Sequence, residues 1–201
     1  MKIYIIKYPK NVSFGKEKSP EKKQFTKLYL KQILKDEFQL NISDDDFGKN
    51  ENGKPFLKKS NLYFNLSHSN EYLIIAFGKI ALGIDIEKRK NINSEMLSKR
   101  FFHPKEYQFV QAQKDTEEAF FRIWTLKESY IKWKGGSLPA DLQKFRIEIT
   151  KNSLRAYETD RKVDKIFIKE YKKEDYFIAV CSEEDDFPNE LIEIVSKSHK
   201  K

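Results

Sequence analysis

A single cysteine, Cys181, cannot form an internal disulfide, so nothing covalent helps this chain hold its fold. The three histidines, His68, His103 and His199, are scattered and offer no zinc spacing. No stretch approaches the run of ~18 apolar residues that marks a transmembrane helix. The apolar start, Ile3 to Ile6, is soon interrupted by lysine and is not expected to be a signal peptide. The G-x-S-x-G pattern of a nucleophile elbow is missing, which leaves a serine hydrolase without support. Together these absences predict a cytoplasmic protein with no membrane association.

What is present is length enough to bury a core, as one large domain or two small ones, and a positive surface. The net charge is +8, from 39 Lys and Arg against 31 Asp and Glu. Such a surface attracts polyanions, whether nucleic acid, an anionic membrane, a phosphorylated small molecule or an acidic partner. Because the lysines are spread along the chain, much of this charge is ordinary solvated surface.

In chain order, Ile3 to Ile6 reads as a strand. Ser19-Pro20-Glu21 reads as a helix start, and Phe25, Leu28, Tyr29, Ile33 and Leu34 continue at helical spacing. Residues 41–59, with three aspartates, two glycines and Pro55, read as loop. Strands follow at 62–66, 72–77 and 81–86, the last two expected as a hairpin around Gly78. Helices are expected over Ser94 to Phe102, from His103-Pro104 onward, and over Thr116 to Trp133 before Gly135-Gly136. The remainder alternates as antiparallel strands do, and 196–201 reads as a disordered tail.

The chain also echoes itself. Phe25-x-x-Leu28-x-Leu30-Lys31-Gln32 is answered by Phe121-x-x-Trp124-x-Leu126-Lys127-Glu128, and Tyr72-Leu-Ile-Ile-Ala by Tyr176-Phe-Ile-Ala-Val. Two helix-then-strand units suggest a pseudo-duplicated α+β fold with halves 1–88 and 89–201 and a site at their junction.

Leu82-Gly-Ile-Asp85-Ile-Glu87-Lys88 carries two carboxylates one residue apart. On a strand, Asp85 and Glu87 share a face while Ile84 and Ile86 point to the other. Paired carboxylates repel unless a cation, a proton or a basic side chain stands between them. A Mg²⁺ ion fits, as do lysines of a neighbouring strand. On the helix through Trp124-Thr-Leu-Lys127-Glu128-Ser-Tyr-Ile-Lys132, Lys127 falls inside the stripe of Phe120, Trp124 and Ile131, with Glu128 and Lys132 along its edge. Glu128 and Lys132 are spaced for a surface i,i+4 pair; alternatively, Glu128 completes the Asp85/Glu87 pincer. In Asn65-Leu66-Ser67-His68-Ser69 the two serines read as turn residues closing a strand.

In order, Gly53-Lys54-Pro55, Phe64-Asn-Leu-Ser-His-Ser69, Gly83-Ile-Asp-Ile-Glu87, Arg100-Phe101-Phe102 with Glu106-Tyr107, and Trp124-Thr-Leu-Lys-Glu-Ser-Tyr-Ile-Lys132 closely resemble the 4′-phosphopantetheinyl transferases of the long, surfactin-synthetase-activating type. The resemblance runs from about Gly53 to Gly136. It implies a pseudo-two-fold α+β monomer that moves phosphopantetheine from coenzyme A to a serine of an acidic acyl or peptidyl carrier protein, leaving adenosine 3′,5′-bisphosphate. By the same resemblance, Asp85, Glu87 and Glu128 would hold Mg²⁺ and Lys132 would reach the phosphates. Lys54, Ser67 and His68 would grip coenzyme A, with Lys22 and Lys23 on the nucleotide phosphates. Glu128, or a water on the metal, would take the serine proton.

Two other classes fit less well. A metal-dependent nuclease would want a lysine on the face of its acids, whereas Lys88 follows Glu87 directly and points away. A nucleic-acid-binding module would interleave exposed aromatic and basic residues, but Phe120 and Trp124 fall on the apolar stripe.

Overall fold

The computed structural model describes residues 1–9, 19–136, 142–151 and 153–196. The tail expected over 196–201 lies outside them except for its first residue. Strand β1 (Lys2–Lys7) leads to helix α1 (Pro20–Phe38), where Ser19 caps the Lys22 N–H and Pro20 takes the first turn, as the sequence predicts. Then come β2 (Phe47–Lys49), β3 (Pro55–Leu57), β4 (Tyr63–Ser69), β5 (Tyr72–Gly78) and β6 (Leu82–Lys88). Helices α2 (Ser94–Phe101), α3 (Pro104–Gln111) and α4 (Thr116–Lys134) precede β7 (Phe145–Ile149), β8 (Leu154–Glu158), β9 (Arg161–Lys162), β10 (Phe167–Lys173), β11 (Tyr176–Ser182) and β12 (Ile192–Ile194).

Two antiparallel arrangements repeat one pattern. In the first sheet, β5 lies between β1 and β4; in the second, β11 lies between β6 and β10. Each unit is a strand, a 19-residue helix and two further strands, with the first strand paired to the last. The sequence echo falls on equivalent elements, and the rings of Tyr72 and Tyr176 meet edge to face at 4.9 Å between the sheets. The mixed α+β class and the pseudo-two-fold plan follow from this topology. Strands cross the division at residue 88: β6 joins the second sheet, and β12 returns to pair in parallel with β1.

The expected hairpin of β5 with β6 does not form. Both edges of β5 are taken by β1 and β4, so the chain after Gly78 passes to the other sheet and pairs with β11. The stretch read as loop over 41–59 contains the β2–β3 ribbon, too short to carry a strand signature of its own.

The layers run helix, sheet, sheet, helix. Tyr4, Ile6, Leu73, Ile75 and Phe77 pack on the Tyr29, Leu30, Ile33 and Leu34 stripe of α1. Ile3, Ile5, Ile74, Ile84, Ile86, Ile178 and Val180 close the space between the sheets. Ala179 and Cys181 meet Leu126 and Tyr130 of α4 on the far side, and burial there pushes the Cys181 thiol up. No described helix is long and apolar enough to cross a membrane.

Candidate active site

The site lies where β6, β4 and α4 meet. Period two sends Ile84 and Ile86 into the core between the sheets and leaves Gly83, Asp85 and Glu87 toward α4, the arrangement read from the sequence. Gly83 is there because of contact: a Cβ would stand 2.1 Å from the Ser129 carbonyl oxygen and 2.2 Å from the Trp133 nitrogen. A bare strand backbone lets α4 lie directly on β6. Glu128 and Lys132, one turn apart, are thereby brought over Asp85.

Ser67 and Ser69 are not turn residues but continue the strand that holds Asn65. All three lie within β4 and, two apart, share one face turned to β6. Asn65 Oδ1 accepts from the Ile84 N–H at 2.9 Å, Ser67 Oγ donates to Asp85 Oδ1 at 2.7 Å, and Ser69 Oγ donates to Glu87 Oε2 at 3.1 Å while accepting from the Lys88 N–H at 3.0 Å. Side chains thus do the pairing that backbones do within a sheet, joining β4 to the edge of the second sheet. The alternation of small polar residues with Leu66 and His68 was the available signal.

Lys132 is not the surface partner of Glu128. Its ammonium donates to Asp85 Oδ1 at 2.7 Å and to Ser67 Oγ at 2.8 Å, closing a triangle with the serine–aspartate bond. Asp85 is 3% exposed and Glu128 6%. Burial, then the Asp85 charge, push the Glu128 carboxyl up to about 8; Lys132 partly offsets this and Glu87 adds to it. Asp85 Oδ2 and Glu128 Oε1 are buried with no hydrogen-bond partner. Among the described residues, no three His, Cys, Asp or Glu side chains stand close enough to ligate one ion as arranged. Lys132 supplies the countercharge to Asp85 instead.

The residues carried over for coenzyme A divide. Ser67 belongs to the Asp85–Lys132 triangle. His68 alternates to the other face of β4, on the α1 side with Phe64 and Leu66. Lys22, buried on α1, reaches the Asn70 carbonyl at 3.3 Å in the β4–β5 turn and lies over the Tyr8 ring, whereas Lys23 is exposed. Lys54 donates to the Leu82 carbonyl at 2.9 Å and the Lys132 carbonyl at 2.5 Å, and burial pulls its ammonium down to about 8.

Lys127, flagged by its place on the apolar stripe, is 0% exposed. It donates to both Glu106 oxygens, at 2.9 and 2.7 Å, and to the Phe145 carbonyl at 2.7 Å. Glu106 in turn accepts from the His103 and Ile147 N–H groups, completing the capping box of α3. Burial pulls Lys127 down and pushes Glu106 up, and their attraction opposes both shifts. Beside the site, Ile92, Leu97, Phe101, Phe120, Phe121 and Trp124 line an open apolar groove of about 230 Å³ that begins at Glu87.

Residues 81–181 match the profile of the 4′-phosphopantetheinyl transferase superfamily. The chain is 33% identical over 168 residues to the 4′-phosphopantetheinyl transferase Sfp of Bacillus subtilis strain 168, covering 82% of this chain and 75% of that protein. It is 35% identical over 158 residues to the 4′-phosphopantetheinyl transferase gsp of Aneurinibacillus migulanus, covering 77% and 63%. The solved holo-[acyl-carrier-protein] synthase of Helicobacter pylori in complex with coenzyme A aligns with a TM-score of 0.41 at 19% identity, over 50% of this chain and 96% of its own. With the profile spanning both acidic motifs and relatives of this identity along most of its length, the chain belongs to the 4′-phosphopantetheinyl transferase superfamily.

Proposed function

We propose that this enzyme transfers 4′-phosphopantetheine from coenzyme A to a serine hydroxyl of an acidic acyl or peptidyl carrier protein, acting in the cytoplasm as a monomer whose halves, 1–88 and 89–201 along the chain, exchange β6 and β12 between their sheets. The observation that carries the reading is the pair of buried carboxylates, Asp85 and Glu128, facing each other from β6 and α4 with one unpartnered oxygen each beside the Lys132 ammonium. Two buried oxygens without donors are costly in a purely structural role and suit a cation. Asp85 and Glu128, joined by Glu87 once these side chains close in from their present arrangement, would hold Mg²⁺, which when bound supplies charge neutralisation on the pyrophosphate.

The chain's own groups account for the rest. Glu128, raised to about 8 by burial and the Asp85 charge with no metal cation beside it, would serve as general base in its ionised form, which such a cation favours. It takes the serine proton as the serine Oγ forms a bond to the pantetheine-bearing phosphorus. The bond from that phosphorus to the bridging oxygen breaks, and the electron pair leaves on adenosine 3′,5′-bisphosphate. Lys132, held at Ser67 and Asp85, turns its charge to the oxygens on which negative charge develops. His68 and Lys22, with Lys23 nearer solvent, take the nucleotide phosphates on the α1 side. The positive surface steers an acidic carrier to the site.

The test is incubation of the protein with coenzyme A, Mg²⁺ and an apo carrier protein, followed by intact mass measurement. A gain of one phosphopantetheine on the carrier is the expected result. No gain with several carrier proteins would refute the reading.

A further inference from the structure

The turn that joins β2 to β3 is built as a clamp. Asn50 Oδ1 accepts from the N–H groups of Asn52 at 3.1 Å and Lys54 at 2.8 Å, and the backbone closes twice, Gly53 N–H to Asn50 at 2.9 Å and Asn50 N–H to Lys54 at 3.0 Å. Gly53 adopts φ of 83°, in the left-handed region that a side chain would strain. Three side chains of this turn reach the end of α4. Asn50 Nδ2 and Asn52 Nδ2 both donate to the Gly135 carbonyl, at 3.2 and 2.9 Å, and Lys54 Nζ donates to the Lys132 carbonyl at 2.5 Å.

The last carbonyls of a helix have no partners within it, and a cation there is favoured by the helix dipole. Here the Lys132 carbonyl, which already accepts from the Gly135 N–H at 3.2 Å, and the Gly135 carbonyl gain partners from a turn distant in sequence. Lys54 does one thing more: its ammonium also binds the Leu82 carbonyl of β6 at 2.9 Å, next to Gly83. One nitrogen therefore ties the strand that carries Asp85 and Glu87 to the helix turn that carries Lys132, at the place where the missing Cβ of Gly83 lets the two touch. Both Lys54 bonds go to backbone, so they act on the placement of whole elements.

We infer that Lys54, with Asn50 and Asn52, is a positioning group: it staples α4 to β6 and so sets the separation of Glu128 and Lys132 from Asp85 and Glu87, rather than gripping coenzyme A. The inference rests on the transferase reading above and deepens it by assigning a residue that acts through the site's other groups.

The staple predicts a pattern that a phosphate ligand would not produce. Lys54→Met and Asn52→Ala should each lower kcat at saturating coenzyme A, Lys54→Met by about ten-fold or more, while the coenzyme A Kd from calorimetry stays within about two-fold, because small displacements of catalytic groups act on the chemical step. Lys54→Arg, which keeps the donors, should recover part of the rate. Asn52→Ala is the control for charge, since a neutral amide on a helix carbonyl has no phosphate to lose. A coenzyme A Kd raised about ten-fold by Lys54→Met, with kcat unchanged, would overturn the inference in favour of a phosphate ligand. A lower melting temperature with both kcat and Kd unchanged would overturn it in favour of a purely structural bond. An inactive wild type would instead overturn the transferase reading itself, and the staple's catalytic role with it.

Discussion

Replacing Glu128 with glutamine should stabilise the protein in the absence of metal while destroying its activity. The carboxyl is raised from its ordinary 4.5 to about 8, first by burial and then by Asp85. In the unfolded chain it ionises near 4.5, so the folded state binds the extra proton between the two values. Stability from this group is therefore intact below about pH 4.5 and is lost as the pH climbs toward 8. At pH 7, holding the carboxyl neutral costs about 3 kcal/mol, at roughly 1.4 kcal/mol for each pH unit above 4.5. Glutamine is close in shape and carries no such cost. For a chain of this size the difference corresponds to roughly 6 to 12 °C in melting temperature. Urea unfolding of both proteins at several pH values, in chelator, would show the gap opening from near zero at acid pH. Adding Mg²⁺ should narrow it by stabilising the wild type selectively. A gap that stays flat between pH 5 and 8 would mean that Glu128 is ionised in the folded protein and that burial does not raise its carboxyl.

Gly83→Ala should cost about 2 kcal/mol or more and abolish transfer, because both atoms in the way are backbone of α4 and cannot rotate aside; a wild-type urea midpoint would contradict the contact. Lys127→Met should destabilise by about 3 to 5 kcal/mol by leaving the Glu106 carboxylate buried and unpaired, and adding Glu106→Gln should recover part of that loss in the same unfolding assay. His68→Ala and Lys22→Met should weaken coenzyme A binding in calorimetry more than they lower kcat; the reverse ordering would remove both from the nucleotide.

Much of this protein is written locally. The capped start of α1 at Ser19-Pro20, the box at His103 to Glu106 and the glycine end of α4 at Gly135 are short-range signals, and each is found where the sequence places it. The period of two over 82–88 likewise determines that Asp85 and Glu87 share a face whatever they meet. Partner choice is different, because it depends on which edges and faces remain free once the rest has packed. Only the tertiary structure decides that β5 has no open edge, so that β6 joins β11 and β5–β6 is a crossing between sheets. It also decides that Ser67 and Ser69, turn formers by composition, are strand residues bonded to β6, since their partners lie 18 residues away in the chain. Lys132 bonds to Asp85, 47 residues distant, although Glu128 is one turn away on its own helix. The carboxylate of Asp85 is buried against that helix end, and a buried charge attracts an available ammonium far more strongly than a pairing along a helix surface does.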